Sequence, residues 1–475
     1  MAQPQQLNRS LTLTMVIVFV IGNIVGSGIY KKVAPMAAEL HSSGWVLLCW
    51  VLGGIITLFG ALCNAEVAGL LADTGGEYVY YKKIYNRFFA FMFGWSLFVV
   101  IETAAISSLA YVFAESLSSI VHLPNLFPSL SDFNILGIFY PFKEFHVKLT
   151  AIILIIVLTW VNGKKVKTGA RLSSIILLLV FAGILTIVIA ALTSSHAHIS
   201  ETFALRTPVG KPVTPSAIFT SMLAAFWAYQ GWASVGYIGG EVKNSKRNIP
   251  LGLTIGVFII IGIYLLVNIS YLSVLSIPKL EQIYTSQTGI AAIEAVKIFW
   301  GDYGALFISC LIALTTLGCT HATIFVSCRM YFAMAREGLF FPGVEKLNRA
   351  SSPARSLLYQ CIWACLLVLS GTFDQLTDMI IFAVFIYYGA TTLGVFILRK
   401  KMPDAPRPYK VWGYPFVPAI VILFCGVLFV NTIIERPREA IFGLILMLTG
   451  VPLYFWFRRR NLIPHKAGEN VGNEK

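Results

Sequence analysis

Uninterrupted apolar stretches recur from one end of this 475-residue chain to the other. A helix needs roughly 17–25 apolar residues to cross a bilayer, and a dozen such stretches in series cannot all be core helices of a soluble protein. Only 12% of the residues are charged, and the runs are continuous rather than alternating, which excludes a β-barrel. The pattern predicts an all-α integral membrane protein with about twelve spans, at roughly 12–40, 44–71, 88–120, 146–163, 170–193, 214–240, 250–276, 303–333, 356–372, 376–398, 413–434 and 440–457.

The net charge of +14 follows the topology of these spans. Lysine and arginine are concentrated in every second loop, which is the positive-inside pattern and places both termini in the cytoplasm. The basic charge therefore sets orientation, and we expect no nucleic-acid partner. The loops after the even-numbered spans carry Lys82, Lys83, Arg87, Lys164, Lys165, Lys167, Lys243, Lys246, Arg247, Arg336, Lys346, Arg349, Arg399, Lys400, Lys401, Arg407, Lys410, Arg458, Arg459 and Arg460.

All eight cysteines lie within the predicted spans, and none has metal-ligand spacing. We therefore expect neither disulfides nor zinc, and no other cofactor is indicated. The first ten residues lack a charged region followed by a small-residue cleavage site, so the first span is predicted to be retained.

The first and sixth spans are interrupted at matching places. Gly22-Asn23-Ile24-Val25-Gly26-Ser27-Gly28 breaks the first, and Trp227-Ala228-Tyr229-Gln230-Gly231-Trp232 breaks the sixth. Glycine is common in membrane helices for packing alone, but two clusters five spans apart indicate a 5+5 inverted repeat, as in many secondary transporters. The chain is thus predicted to be one domain, with repeats at about 11–200 and 213–400, two further helices at about 411–458, and a cytoplasmic tail at 461–475.

Backbone groups at a helix break lose their helical partners and need others. Gly26, Ser27 and Gly28 expose N–H groups at the positive end of a half-helix, which attracts a carboxylate, and the Ser27 hydroxyl adds a donor. The carbonyls of Ile24, Trp227 and Gln230, with Gly231 beside them, suit an ammonium group. An anion site beside cation sites fits an α-amino acid zwitterion.

These motifs resemble the amino acid–polyamine–organocation superfamily, and within it the L-type amino acid transporter group. The resemblance runs from the first span through the tenth. It implies the transporter fold with broken helices 1 and 6, alternating access, sodium-independent exchange or uptake of amino acids, and an aromatic gate at Trp227. It is carried by GNIVGSGIY at 22–30, GALCNAE at 60–66, GGEYVYYKKIY at 75–85, AFWAYQGW at 225–232, EVKNSKRNIP at 241–250, the segment 318–329 and AREGLF at 335–340.

Relatives in this group place substrate-discriminating side chains on the third, eighth and tenth spans. Glu102 on the third is a buried structural residue, a countercharge for a cationic side chain, or a proton-linked group. His321 on the eighth is a core histidine or, if it faces Glu102, part of a pH-sensitive element. Thr323 on the eighth span, with Phe382 and Phe385 on the tenth, completes the specificity candidates; packing is the alternative for the two phenylalanines.

Five further residues bear on gating and coupling. Glu66 and Tyr78 are predicted to be structural or gating residues. Lys31 and Lys32 are predicted to extend to the outer interface, or to attract anionic substrates. Many L-type relatives carry a lysine in the fifth span, and Val180 takes its place here, so a lysine-dependent coupling step cannot be transferred.

The partners expected are an amino acid and the lipid bilayer. No cysteine lies between Cys63 and Cys310, so the disulfide-linked partner subunit of animal relatives is not expected; the oligomeric state is left open. A membrane enzyme would need a nucleophile–base or metal constellation, and only His321 among the histidines lies in a span. A cationic amino acid or polyamine carrier and an amino acid sensor without transport remain as alternatives.

Overall fold

The computed structural model describes residues 11–71, 76–121, 124–131, 133–134, 140–164, 169–286, 289–348, 352–371 and 373–462. Several sequence predictions lie outside these residues: most of the tail predicted at 461–475, and the basic loop residues Lys165, Lys167 and Arg349. The helices, numbered in chain order, are α1 Leu13–Ile24, α2 Gly28–Lys31, α3 Val33–Leu40, α4 Ser43–Leu71, α5 Glu77–Ile84, α6 Arg87–Ser96, α7 Glu102–Ile120, α8 Phe145–Asn162, α9 Gly169–Thr193, α10 Ile199–Thr202, α11 Pro215–Tyr229, α12 Ser245–Val274, α13 Ile277–Ser286, α14 Ala291–Arg336, α15 Ala354–Ser370, α16 Phe373–Lys401, α17 Phe416–Glu435, α18 Pro437–Leu448 and α19 Gly450–Leu462.

The all-α membrane class is confirmed. Among the described residues, nine helical segments are long and apolar enough to cross a membrane, and each coincides with a predicted span. The remaining three predicted spans coincide with the interrupted α1–α3 segment, with α11 and the 3-10 helix Trp232–Glu241, and with the shorter α15. The total of twelve spans and the inverted repeat stay predictions.

Small residues let the first span cross the seventh closely. On α12, Gly252 and Gly256 lie one helical turn apart, facing Val16 and Val20 of α1. A Cβ on Gly256 would lie 2.7 Å from a methyl carbon of Val20, too close for any larger residue. Close approach at small residues is the usual way that membrane helices gain packing energy, and here it fixes the position of α1 immediately before the first break.

A buried carboxylate ties the second span to the tenth span and the loop after it. Glu66 is 3% exposed. Its two oxygens accept hydrogen bonds from Nε and Nη2 of Arg399, at 2.9 and 2.7 Å. Arg407 lies 3.6 Å away, and the backbone N–H of Val411 also donates to Glu66, at 2.6 Å. This supports the structural interpretation of Glu66.

Replacing Glu66 with glutamine should therefore destabilise the protein strongly. The substitution keeps the shape of the side chain but leaves two largely buried guanidinium groups without a counterion, which costs roughly 3–5 kcal/mol. The measurement is thermal unfolding in detergent. Glu201→Gln, at an exposed carboxyl, is the matched control and should leave the melting temperature unchanged. Equal melting temperatures for Glu66→Gln and the wild type would contradict this role.

Candidate functional site

The first span breaks between α1 and α2. Helix α1 ends at Ile24, and Val25 has φ −71° and ψ 96°, outside the helical region. Helix α2 begins at Gly28. Within the described chain, the backbone N–H groups of Gly26, Ser27 and Gly28 have no hydrogen-bond acceptor. The break therefore leaves three backbone donors without an acceptor in the described chain.

The sixth span breaks directly against the first. Helix α11 ends at Tyr229, and Gly231 has φ 114°, a conformation that glycine adopts most readily. A Cβ on Gly231 would overlap the carbonyl oxygen of Asn23. On the other side of the contact, a Cβ on Gly28 would lie 2.5 Å from Cα of Ala228. The two breaks are in backbone contact, which only glycine permits at these two positions.

One cavity of roughly 530 Å³, including space open to solvent, lies at this contact. All seven residues predicted to bind substrate line it, together with Glu102 and Thr323. Its walls come from the first, third, sixth and eighth spans: Asn23, Ile24, Gly26, Ser27, Gly28, Glu102, Ala105, Leu109, Trp227, Gln230, Gly231, Ser234, Cys319, Thr323 and Val326.

The other three specificity candidates lie elsewhere. His321 is partly exposed and does not line the cavity with Glu102, so the structure does not bring the two together. Phe385 lines a neighbouring cavity and packs on Phe226, with ring centroids 4.5 Å apart. Phe382 stacks on Phe429 at 5.0 Å. The packing alternative fits the geometry of both phenylalanines.

Trp227 lines the cavity and contacts both the first break and an aromatic ring outside it. Its indole N–H donates to Oγ of Ser27 at 3.2 Å, which leaves the Ser27 hydroxyl proton free to donate to a ligand. The Trp227 ring packs edge-on against Phe373, with centroids 6.1 Å apart. Nζ of Lys31 and Nζ of Lys32 each lie 4.7 Å from the centre of the Phe373 ring. Trp227 therefore packs against an aromatic ring that two cations flank.

The two lysines are held by ion pairs. Lys31 pairs with Glu115 of α7, and Lys32 with Asp374 of α16, each at 2.6 Å. Lys32 is only 1% exposed, so the prediction that it extends to the membrane interface was wrong. A charge this deep needs a partner, and Asp374 with the hydroxyl of Thr377 at 2.8 Å supplies it.

Sequence reasoning missed Tyr264 on α12. Its hydroxyl lies 3.0 Å from the carbonyl oxygen of Ile24 and 3.0 Å from that of Ala228, so its single proton can be donated to either carbonyl or shared between them. One hydroxyl thus bridges both breaks. The only sequence signal is a tyrosine in the middle of an apolar run. Gln230 is also fixed, because the Tyr388 hydroxyl donates to its side-chain oxygen at 2.8 Å.

In the described ranges, no group of three or more His, Cys, Asp or Glu side chains could hold a metal ion. Val180 is buried in α9 and does not line the cavity.

The sequence matches the amino acid permease family over residues 11–454. The chain belongs to this family. It is 28% identical to the serine/threonine exchanger SteT of Bacillus subtilis, over 96% of this chain and 98% of that protein. It is 28% identical to the b(0,+)-type amino acid transporter 1 of Mus musculus, over 95% and 88%. It is 29% identical to the mouse large neutral amino acids transporter small subunit 2, over 94% and 81%.

These matches confirm the resemblance to the amino acid–polyamine–organocation superfamily and to L-type transporters. The family and these relatives are transporters, so the chain is not an enzyme. It is a multi-pass membrane permease whose relatives carry or exchange amino acids.

The contact between the breaks predicts the effect of two glycine substitutions. Gly231→Ala should abolish transport, because its Cβ would collide with Asn23 O and its φ disfavours alanine. Gly262→Ala, in α12 where nothing lies within 4 Å of an added Cβ, is the matched control and should transport like the wild type. The measurement is amino acid uptake per molecule of folded, purified protein. Wild-type uptake by Gly231→Ala would mean that the backbone contact is not needed.

Proposed function

We propose that this permease moves amino acids across the membrane by alternating access, with the substrate zwitterion held between the two breaks. The observation that carries the proposal is the cavity at the contact of the broken spans, with three free amides at one break and helix-end carbonyls at the other. The names of the relatives, all amino acid transporters or exchangers, agree with this substrate class.

The substrate carboxylate would accept hydrogen bonds from the amides of Gly26, Ser27 and Gly28 and from the Ser27 hydroxyl. Charge-assisted bonds of this kind are the stronger class, and the half-helix that starts at Gly28 adds its positive end. The ammonium group would donate to the carbonyls of Ile24, Trp227 and Gln230. Ile24 O already accepts from Tyr264, but a carbonyl oxygen has a second lone pair to offer.

Sodium-independent transport is part of the proposal. Carbonyls at half-helix ends are the groups that coordinate Na⁺ in many transporters. Here the Tyr264 hydroxyl lies between two such carbonyls and shares its single proton with them, so a neutral donor occupies the place where a cation would bind. The hydroxyls of Thr316, Thr320 and Thr323 on α14 bond to their own helix backbone.

We further propose that Trp227 is the gate. The protein would reside in the cell membrane with both termini in the cytoplasm. It would exchange its substrates or take them up. The packing of Trp227 against Phe373, which Lys31 and Lys32 flank, supports the gate. The alternation of basic loops supports the orientation.

A second candidate follows from Glu102, whose carboxyl lines the cavity. As a countercharge it would favour cationic amino acids or polyamines. Arginine and putrescine would then be the preferred substrates, and Glu102→Gln would abolish their transport.

The direct test is counterflow in liposomes. Purified protein is reconstituted with an internal load of unlabelled amino acids, and entry of labelled alanine, serine, leucine, arginine and putrescine is measured separately, with and without sodium. We expect entry of at least one amino acid that depends on the load and is unchanged by sodium. Binding without entry under any gradient would contradict the proposal and favour a sensor.

Ser27→Ala should weaken substrate affinity without preventing folding. Loss of one hydrogen bond to a charged group costs roughly 1.5–3 kcal/mol, so we expect KM for the best substrate to rise by roughly 10–100-fold. The control is Ser200→Ala, at an exposed site outside the cavity. An unchanged KM for Ser27→Ala would remove Ser27 from the carboxylate site.

A further inference from the structure

A second chamber adjoins the substrate cavity on the side of α5. It encloses roughly 330 Å³, including space open to solvent. Glu102, Gln230, Gly231 and Ser234 line both spaces, so the two meet at the break in the sixth span. Glu77 lies in the wall of the second chamber only. Two carboxyl groups on different elements are thus reached in sequence from the substrate site.

Glu77 is buried although it lies in the connection between two spans. It is the first residue of α5 and is 2% exposed. Its Oε1 accepts a hydrogen bond from the side-chain amide of Asn64, on α4, at 3.2 Å. Gly76, with φ 51°, turns the chain inward and places α5 against Tyr237 of the sixth span. The fold therefore brings this carboxyl into the bundle next to the chamber.

The described residues place no lysine or arginine in the lining of either cavity, beside the two carboxyls. Tyrosine and cysteine, which are ordinarily neutral at pH 7, are the other titratable groups that face the pair from every packed element: Tyr81 of α5, Tyr237 of the 3-10 helix, Cys319 and Tyr331 of α14, and Tyr387 and Tyr388 of α16.

Two carboxylates without a positive partner repel each other, and burial adds a desolvation cost for Glu77, which is 2% exposed. The pair is therefore expected to hold a proton at neutral pH. Burial, with a smaller contribution from Glu102, raises the pKa of Glu77 to about 8. Its carboxyl is then protonated below that pH and loses the proton above it.

We propose that Glu102 and Glu77 couple transport to protons, so that one proton crosses the membrane with each neutral amino acid. Glu77 releases its proton to water on the α5 side, a proton from the substrate cavity binds the carboxylate of Glu102, and this proton then passes through the chamber to the vacated carboxylate of Glu77, which restores both groups to their starting state. This step rests on the proposed function, since the proton path begins in the substrate cavity.

The test uses the full-length protein in liposomes that contain a pH-sensitive dye. Labelled alanine, serine and leucine are first tested in counterflow without a pH gradient. The best of them is then added to liposomes without internal load, and dye acidification is recorded. A gradient of one pH unit, with the membrane potential clamped at zero, should drive roughly tenfold accumulation.

A variant at Glu77, which lines the second chamber but not the substrate cavity, separates coupling from binding. Glu77→Gln should keep counterflow and lose both the acidification and the tenfold accumulation. Glu102→Gln should lose the same two signals. The control Glu201→Gln should behave like the wild type. Counterflow in Glu77→Gln shows that it is folded, and the wild-type dye signal is informative without any variant.

Each other outcome counts against the inference. Wild-type counterflow without acidification overturns it and leaves the proposed function intact. No counterflow at all removes the proposed function and the inference together. A third outcome is arginine counterflow that both glutamine variants abolish, while neutral substrates move no protons. It would overturn the inference and indicate that the chamber binds the cationic end of a substrate.

Discussion

The contact between the two broken helices determines most of what this protein can do. A bilayer offers no water to unpaired backbone groups, so each break must find its partners inside the protein or in a ligand. Gly28 and Gly231 let the breaks touch, and the Tyr264 hydroxyl lies within hydrogen-bond distance of a carbonyl from each. What remains unpaired is a set of three amides at Gly26 to Gly28. The proposed binding site thus consists of backbone N–H groups that the protein itself leaves without a hydrogen-bond partner.

Charged groups at the two ends of the bundle hold the spans around this contact. On the side of Trp227, Lys31 and Lys32 of the broken first span pair with the third and tenth spans. On the opposite side, Glu66 joins the second span to Arg399 and the loop after the tenth. Each pair joins two different spans, so any movement that separates those two spans must break the pair. The buried position of Lys32 makes its pair costly to break.

Much of this arrangement could be predicted from the sequence, because it depends on patterns that are local in the chain. Span positions follow from apolar length, and the breaks from glycine clusters at matched places. For Glu102, the depth in its span marks an unusual residue, and the resemblance to L-type transporters implies its place near the site. Tyr264 could not be placed there, because nothing local distinguishes a tyrosine that bridges two breaks from one that packs. His321 and Phe382 show the reverse error: a correct span does not fix which way a side chain points. The sequence indicates Glu77 only as part of a loop motif. The turn at Gly76 that buries its carboxyl is visible only in three dimensions.

The central claim is that a zwitterion is held between the two breaks, and an experimental structure with bound substrate tests it most directly. The structure of the protein would be determined by cryo-electron microscopy, with a saturating concentration of the amino acid that gives the strongest counterflow. We predict density in the cavity, with the carboxylate within hydrogen-bond distance of the amides of Gly26 to Gly28 and the ammonium group on the carbonyls of Ile24, Trp227 and Gln230. Density confined to sites outside this cavity, or a substrate bound in the reverse orientation, would contradict the account.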